Sequence, residues 1–158
     1  MRILHLSDVH LGYRQYQRLT PTGANQREAD VAGTFRRAVD LAIERRPDLV
    51  LIGGDVFHHV RPANPAILWA FKQFARLALA LPDVRIVMVA GNHDAPRTSE
   101  TGCILRLFTE IDRISVVDAE TQRLALPELD LSILAVPAAP GARESDLSPD
   151  PGARYNVL

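Results

Sequence analysis

At 158 residues and 47% hydrophobic, the chain has the length of one domain or of a piece of a larger one, with enough apolar residues for a sizeable core. A formal net charge of −1 offers no bulk-charge argument for a nucleic-acid, membrane or acidic partner. The single cysteine, Cys103, excludes a disulfide framework within the chain and fits a reduced, cytoplasmic setting, and no run of about 18 apolar residues reads as a membrane span.

No signal-peptide pattern precedes the first apolar run, and residues 2–7 read as a first strand. Residues 11–27 read as a polar loop punctuated by Gly12, Pro21, Gly23 and Asn25. Asn25 and Glu28 have the spacing of a capping box. A helix is expected to run from there to about Arg46, with Val31, Phe35, Val39 and Ile43 on one face and Pro47 as its stop. The arginines between Arg14 and Arg46 read mostly as its solvated face.

Residues 48–53 are a continuous apolar run, as expected of a strand covered on both faces. Asn64 and Pro65 then read as the N-cap and first turn of a second helix reaching about Leu81. Residues 84–90 read as a third strand and 100–112 as a third helix. From there the pattern changes: 114–117, 122–126 and 129–136 read as short strands in a meander that starts a second sheet. Residues 137–153, rich in Pro, Gly, Ala, Ser and Asp, read as loop, and Tyr155–Leu158 as the opening of a further strand.

Three polar motifs each follow an apolar strand: Asp8-Val9-His10, Gly54-Asp55 and Gly91-Asn92-His93-Asp94. Loops after parallel strands meet at one sheet edge, so the three are expected to converge. Asp8 and His10, two apart on an extended segment, can reach one cation. Asp55 follows Gly53 and Gly54, and glycine lets backbone approach a metal or phosphate closely. Its two oxygens can bridge two cations, and Asn92 offers a neutral carbonyl oxygen. Carboxylate, imidazole and carboxamide suit divalent ions such as Mn²⁺, Fe²⁺ or Zn²⁺. His93 is better placed as a proton donor than as a ligand. Two metals would activate a water and steady the attacking and leaving oxygens of a phosphoester.

Singly, each residue has a plainer reading. An Asp after a strand is usually a turn or cap residue, Asn92 beside Gly91 is a common turn pair, and a lone His10 is more often a surface or core histidine. Asp94 reads as a helix cap or as a partner that orients His93 or the loop. His58 and His59 read as loop histidines or substrate contacts, His5 as a core or near-site structural residue, and Cys103 as core. The ordered conjunction of three motifs after three strands favours the metal site.

These motifs resemble the calcineurin-like metallophosphoesterase family, and within it the SbcD-type DNA repair exonuclease subunit. His5-Leu6-Ser7-Asp8-Val9-His10-Leu11-Gly12-Tyr13, Gln26-Arg27-Glu28, Gly54-Asp55-Val56-Phe57-His58 and Arg61-Pro62 carry the resemblance over residues 1–110. It implies an α/β fold, a layered α/β/β/α sandwich with its first half present and its second sheet incomplete. Asp8, His10 and Asp55 would hold one metal, and Asp55 and Asn92 would belong to the other. His93 would be catalytic and His58 substrate-binding. The resemblance further implies two divalent ions, Mn²⁺ by family habit, with DNA as substrate in double-strand-break repair. An SbcC-type ATPase would be the partner, and a homodimer would form through the helices near 64–81 and 100–112, where Leu68, Phe71, Leu105 and Phe108 lie. A metallophosphoesterase acting on nucleotides or small phosphodiesters, and a non-catalytic module, remain as alternatives. The family pattern continues with a later lone His and a G-H-x-H, and no histidine follows His93. Residues 1–136 are therefore expected to be the N-terminal part of a nuclease domain and 137–158 a loop and strand opening in a truncated chain.

Overall fold

The computed structural model describes residues 1–96, 102–139 and 147–158. Strands β1 (Ile3–Leu6), β2 (Leu49–Ile52), β3 (Arg85–Val89) and β4 (Ile114–Val117) form a parallel sheet in the order β1-β2-β3-β4. The register pairs Ile3 with Leu49, Leu49 with Arg85 and Ile86 with Ile114. Helices α1 (Gln26–Arg45) and α2 (Asn64–Ala80) make the first two crossovers. Each crossover steps one strand in the same direction, so right-handed connections put both helices on one face.

Alternation along β2 divides the core. Val50 and Ile52 face the helices, where they join Phe35, Val39 and Ala42 of α1 and Ala70, Phe74 and Leu77 of α2. Leu49 faces the other way with Val87, against Leu126, Leu131 and Ile133 of a second sheet. That sheet has the order β5-β6-β7, from β5 (Gln122–Leu126), β6 (Leu131–Ala135) and β7 (Tyr155–Val157). The described residues thus build a helical layer, a parallel sheet and a smaller sheet, in keeping with the expected α/β layering.

Several local expectations are corrected. The segment expected as a third helix over 100–112 is, within the described residues, a 3₁₀ helix over Ile104–Glu110. Gly102, at φ +66°, is left-handed and ends helical continuity on the N-terminal side. Residues 100 and 101 lie outside the described residues, as do 140–146 of the expected loop. The stretch 114–117 is no meander strand, since it pairs in parallel with β3. Among the described residues only β5 and β6 form an antiparallel hairpin, and β7 adds to β6 in parallel.

Asn25 caps α1 as expected, accepting from the backbone N–H of Arg27 and Glu28. The capping box is half made, because Glu28 turns to Arg14 Nε at 2.7 Å. The cap of α2 is Ala63, one residue before Asn64, and it makes no side-chain bond. Pro65 in that first turn has no N–H to satisfy. Arg46, at φ +46°, closes α1 before Pro47.

Among the described residues no helix is long and apolar enough to cross a membrane. His5, expected in the core or near the site, is exposed. It lies with Ile3 along a cleft of about 550 Å³ between the sheets, which Leu51, Val87, Ile133 and Val157 also line.

Candidate metal centre

The three motifs meet at the C-terminal edge of the parallel sheet because backbone pairing continues beyond the strands. Asp8 N donates to Gly54 O at 3.1 Å, His10 N to Asp55 O at 2.9 Å and Leu11 N to Val56 O at 2.8 Å. Leu11 and Phe57 form a parallel bridge, and both are buried. Between these bonds Asp8, His10 and Asp55 adopt φ of +55°, +51° and +53°. Asp and His are among the side chains that enter the left-handed region most readily. The kinks bring three side chains toward one point while the loop remains paired.

One oxygen of Asp8, one of Asp55 and a ring nitrogen of His10 lie within 4.8 Å of one another. His10 Nε2 is 3.9 Å from Asp8 Oδ1 and 3.9 Å from Asp55 Oδ2. These gaps are too wide for hydrogen bonds, so the donors surround a common point without bonding one another. Two carboxylate oxygens and an imidazole nitrogen fit a hard or borderline divalent cation. Asp55 is buried, whereas the Asp8 side chain is largely open to solvent. Asn92 is exposed in the turn after β3.

The third motif docks by close approach. A side chain at Gly54 would place its Cβ 2.8 Å from Gly91 Cα, and one at Gly91 would collide with the Asp55 carboxylate. Glycine at both positions lets Asp55 Oδ1 accept from His93 N at 2.9 Å. His93 Nδ1 lies 2.7 Å from the His58 carbonyl oxygen, which can only accept. Nδ1 therefore carries the proton, and the neutral ring's lone pair is on Nε2.

His10, His58 and His93 form a second cluster, with ring nitrogens within 4.8 Å. His58 stacks on His93 at 5.2 Å, and the Tyr13 and His59 rings meet it edge-on at 4.6 Å each. Burial holds the His58 pKa below its ordinary value, aided by the neighbouring charges of His59, His10 and His93. The structure thus brings together Asp8, His10, Asp55, His58 and His93. No periodicity or spacing in the sequence marks the place of Tyr13 beside His58.

Asp94 is fully buried, and burial raises its pKa against the lowering effect of backbone hydrogen bonds. Cys103 is buried beside it and donates to its carbonyl oxygen at 3.4 Å; burial pushes the thiol up to about 11.

The Calcineurin-like phosphoesterase family model matches residues 1–137. The chain is similar to the DNA double-strand break repair protein Mre11 of Sulfolobus acidocaldarius, 33% identical over 131 residues, covering 83% of this chain and 32% of that protein. It is 36% identical over 111 residues to the Mre11 protein of Methanococcus maripaludis, covering 70% and 28%. The Mre11 protein of Methanocaldococcus jannaschii is 36% identical over 97 residues, covering 61% and 24%. The chain spans about a third or less of the length of these curated relatives.

Proposed function

Because this chain belongs to the calcineurin-like phosphoesterase family, we propose that it carries part of the metal centre of a nuclease that hydrolyses phosphodiester bonds in DNA. The observation that carries the reading is the convergence of Asp8, His10 and Asp55 on one point at the sheet edge. DNA is favoured as substrate because the relatives bear the name of a double-strand break repair protein.

Asp8, His10 and Asp55 would hold one divalent ion, and Asp55 with Asn92 would contribute to a second; Mn²⁺ is the proposed metal. When bound, the ions would polarise the phosphate and lower the pKa of an attacking water. The chain's own residues supply the rest. Asp55 is fixed by the bond from His93 N, so its Oδ2 stays toward His10. With Nδ1 engaged at the His58 carbonyl, Nε2 of a protonated His93 is the nitrogen free to donate to the leaving oxygen. His58, its pKa lowered, stays neutral at physiological pH and can face a phosphate's surroundings as donor or acceptor. Tyr13 props its ring.

An SbcC-type ATPase partner and a homodimer remain part of the proposal. Leu68 and Leu79 of α2, 60% and 86% exposed, support a helix-borne interface. Leu105 and Phe108 do not belong to such a surface, being fully buried in the core.

A calorimetric Mn²⁺ titration of this chain tests the metal reading, paired with digestion of linear duplex DNA by a longer chain. Saturable binding is expected, lost in Asp55→Ala, together with metal-dependent release of nucleotides. Binding that survives Asp55→Ala would sink the site. Intact DNA alongside rapid hydrolysis of free nucleotides would redirect the reading to a small-phosphodiester enzyme.

A further inference from the structure

We infer that Asp94 is the positioning residue of this centre: it clasps the loop after β2 to the loop after β3 and so fixes the aim of Asp55. The inference rests on the metal reading above and adds to it a residue outside the proposed ligand set.

Asp94 is 0% exposed, and its hydrogen bonds run to backbone N–H groups. Oδ1 accepts from Phe57 N at 3.1 Å. Oδ2 accepts from Val56 N at 3.2 Å and from Gly91 N at 3.2 Å. Three donors facing two oxygens call for a carboxylate, because an acid proton would point at an N–H. Two of the donors directly follow Asp55, and the third opens the motif that ends in Asp94 itself. In the opposite direction Asp55 Oδ1 accepts from His93 N. Each loop therefore lends a carboxylate to the backbone of the other, and the exchange is reciprocal.

The arrangement matters because Asp55 holds a left-handed backbone at φ +53°. A non-glycine residue stays there only when its surroundings over-determine it. The bonds from Val56 and Phe57 to Asp94 fix the peptide units just after that kink. The Gly54–Gly91 contact leaves no room for another side chain to take over the task.

Asp94→Asn tests the assignment. The amide keeps the shape but turns one acceptor oxygen into an NH₂ that meets N–H groups head-on. Two quantities are measured: Mn²⁺ affinity by calorimetry, and backbone hydrogen exchange at His93. The His93 N–H bonds to Asp55, which the substitution does not touch. The expected result is a loss of roughly tenfold or more in Mn²⁺ affinity, the scale of losing a group that orients a metal ligand. His93 should also exchange about tenfold faster, while β2 amides keep their protection. Unchanged exchange at His93 overturns the inference, whatever happens to the affinity, and so does faster exchange with unchanged affinity. If the wild-type chain binds no Mn²⁺, the metal reading fails on its own, and the exchange at His93 alone decides whether Asp94 positions Asp55. If Asp94→Asn does not fold, Asp94→Glu, which keeps the charge and displaces it by one methylene, is judged by the same two criteria.

Discussion

His58 stands against four rings, those of His10, Tyr13, His59 and His93, and this crowding has a consequence for stability. Its pKa is lowered first by burial and then by His59, His10 and His93. The folded chain thus resists a proton that the unfolded chain accepts below the ordinary histidine value of 6.5. The stability involved is fully present above that value and is lost as pH falls through the folded pKa. Urea midpoints of the metal-free chain at about pH 7.5 and about pH 5.5, where histidine changes charge, should fall more steeply for wild type than for His58→Gln. Equal falls would remove His58 from the account. The ligand candidates themselves were legible in the sequence, because divalent-cation chemistry admits few residue types and these follow apolar runs. The left-handed φ of Asp8, His10 and Asp55 was not, and neither was the bonding of Asp94 to residues 56 and 57. Both depend on partners far away along the chain.

At the scale of elements, α1 shows how one side chain serves two structures. Asn25 Oδ1 caps the helix, and its Nδ2 donates to Tyr16 O at 2.9 Å, tying down the preceding loop. Asn25→Ala should cost about 1–2 kcal/mol by urea unfolding, the upper range for a lost cap. Asn25→Ser, which keeps an accepting oxygen without the amide donor, should recover the larger part. If the two variants are equally destabilised, the loop tether outweighs the cap. Helices α1 and α2 were legible because their apolar faces repeat with helical period and their ends carry proline or capping residues. The 3₁₀ segment was not legible because a seven-residue stretch with four apolar residues looks alike in either helix, and Gly102 adopts its left-handed backbone only in place. The start of α2 was misplaced by one residue because Asn64 is a good cap by type, yet the first turn closes on Ala63 O.

Across the whole molecule the two sheets are held unequally. The helix-side core is broad, with Phe35, Phe74, Phe57 and Phe108 in mutual edge or stacked contact. The seam between sheets is narrow, made by Leu49, Val87, Leu126, Leu131 and Ile133 beside an open cleft. The second sheet should therefore open as a unit of its own. On adding Mn²⁺, exchange should slow at Asp8, His10 and Asp55 while β6 amides keep their metal-free rates. Slowing throughout β6 would show the sheets to be one cooperative unit. Strand positions were legible from apolar runs, but which sheet 114–117 joins was not, since the 3₁₀ crossover that makes it parallel has no strong sequence period.

The left-handed residues carry one more consequence, which concerns work and not shape. Backbone of this kind costs on the order of 1–3 kcal/mol per residue, and Asp8, His10 and Asp55 all adopt it. An unfolded or excised segment would relax each of them and scatter the donors. The cradle is thus a property of the folded state alone, and cation binding there would draw with folding on a single free energy. A bound ion would act as a tensioned latch: whatever it gains by coordination stiffens the sheet edge that strains the residues holding it.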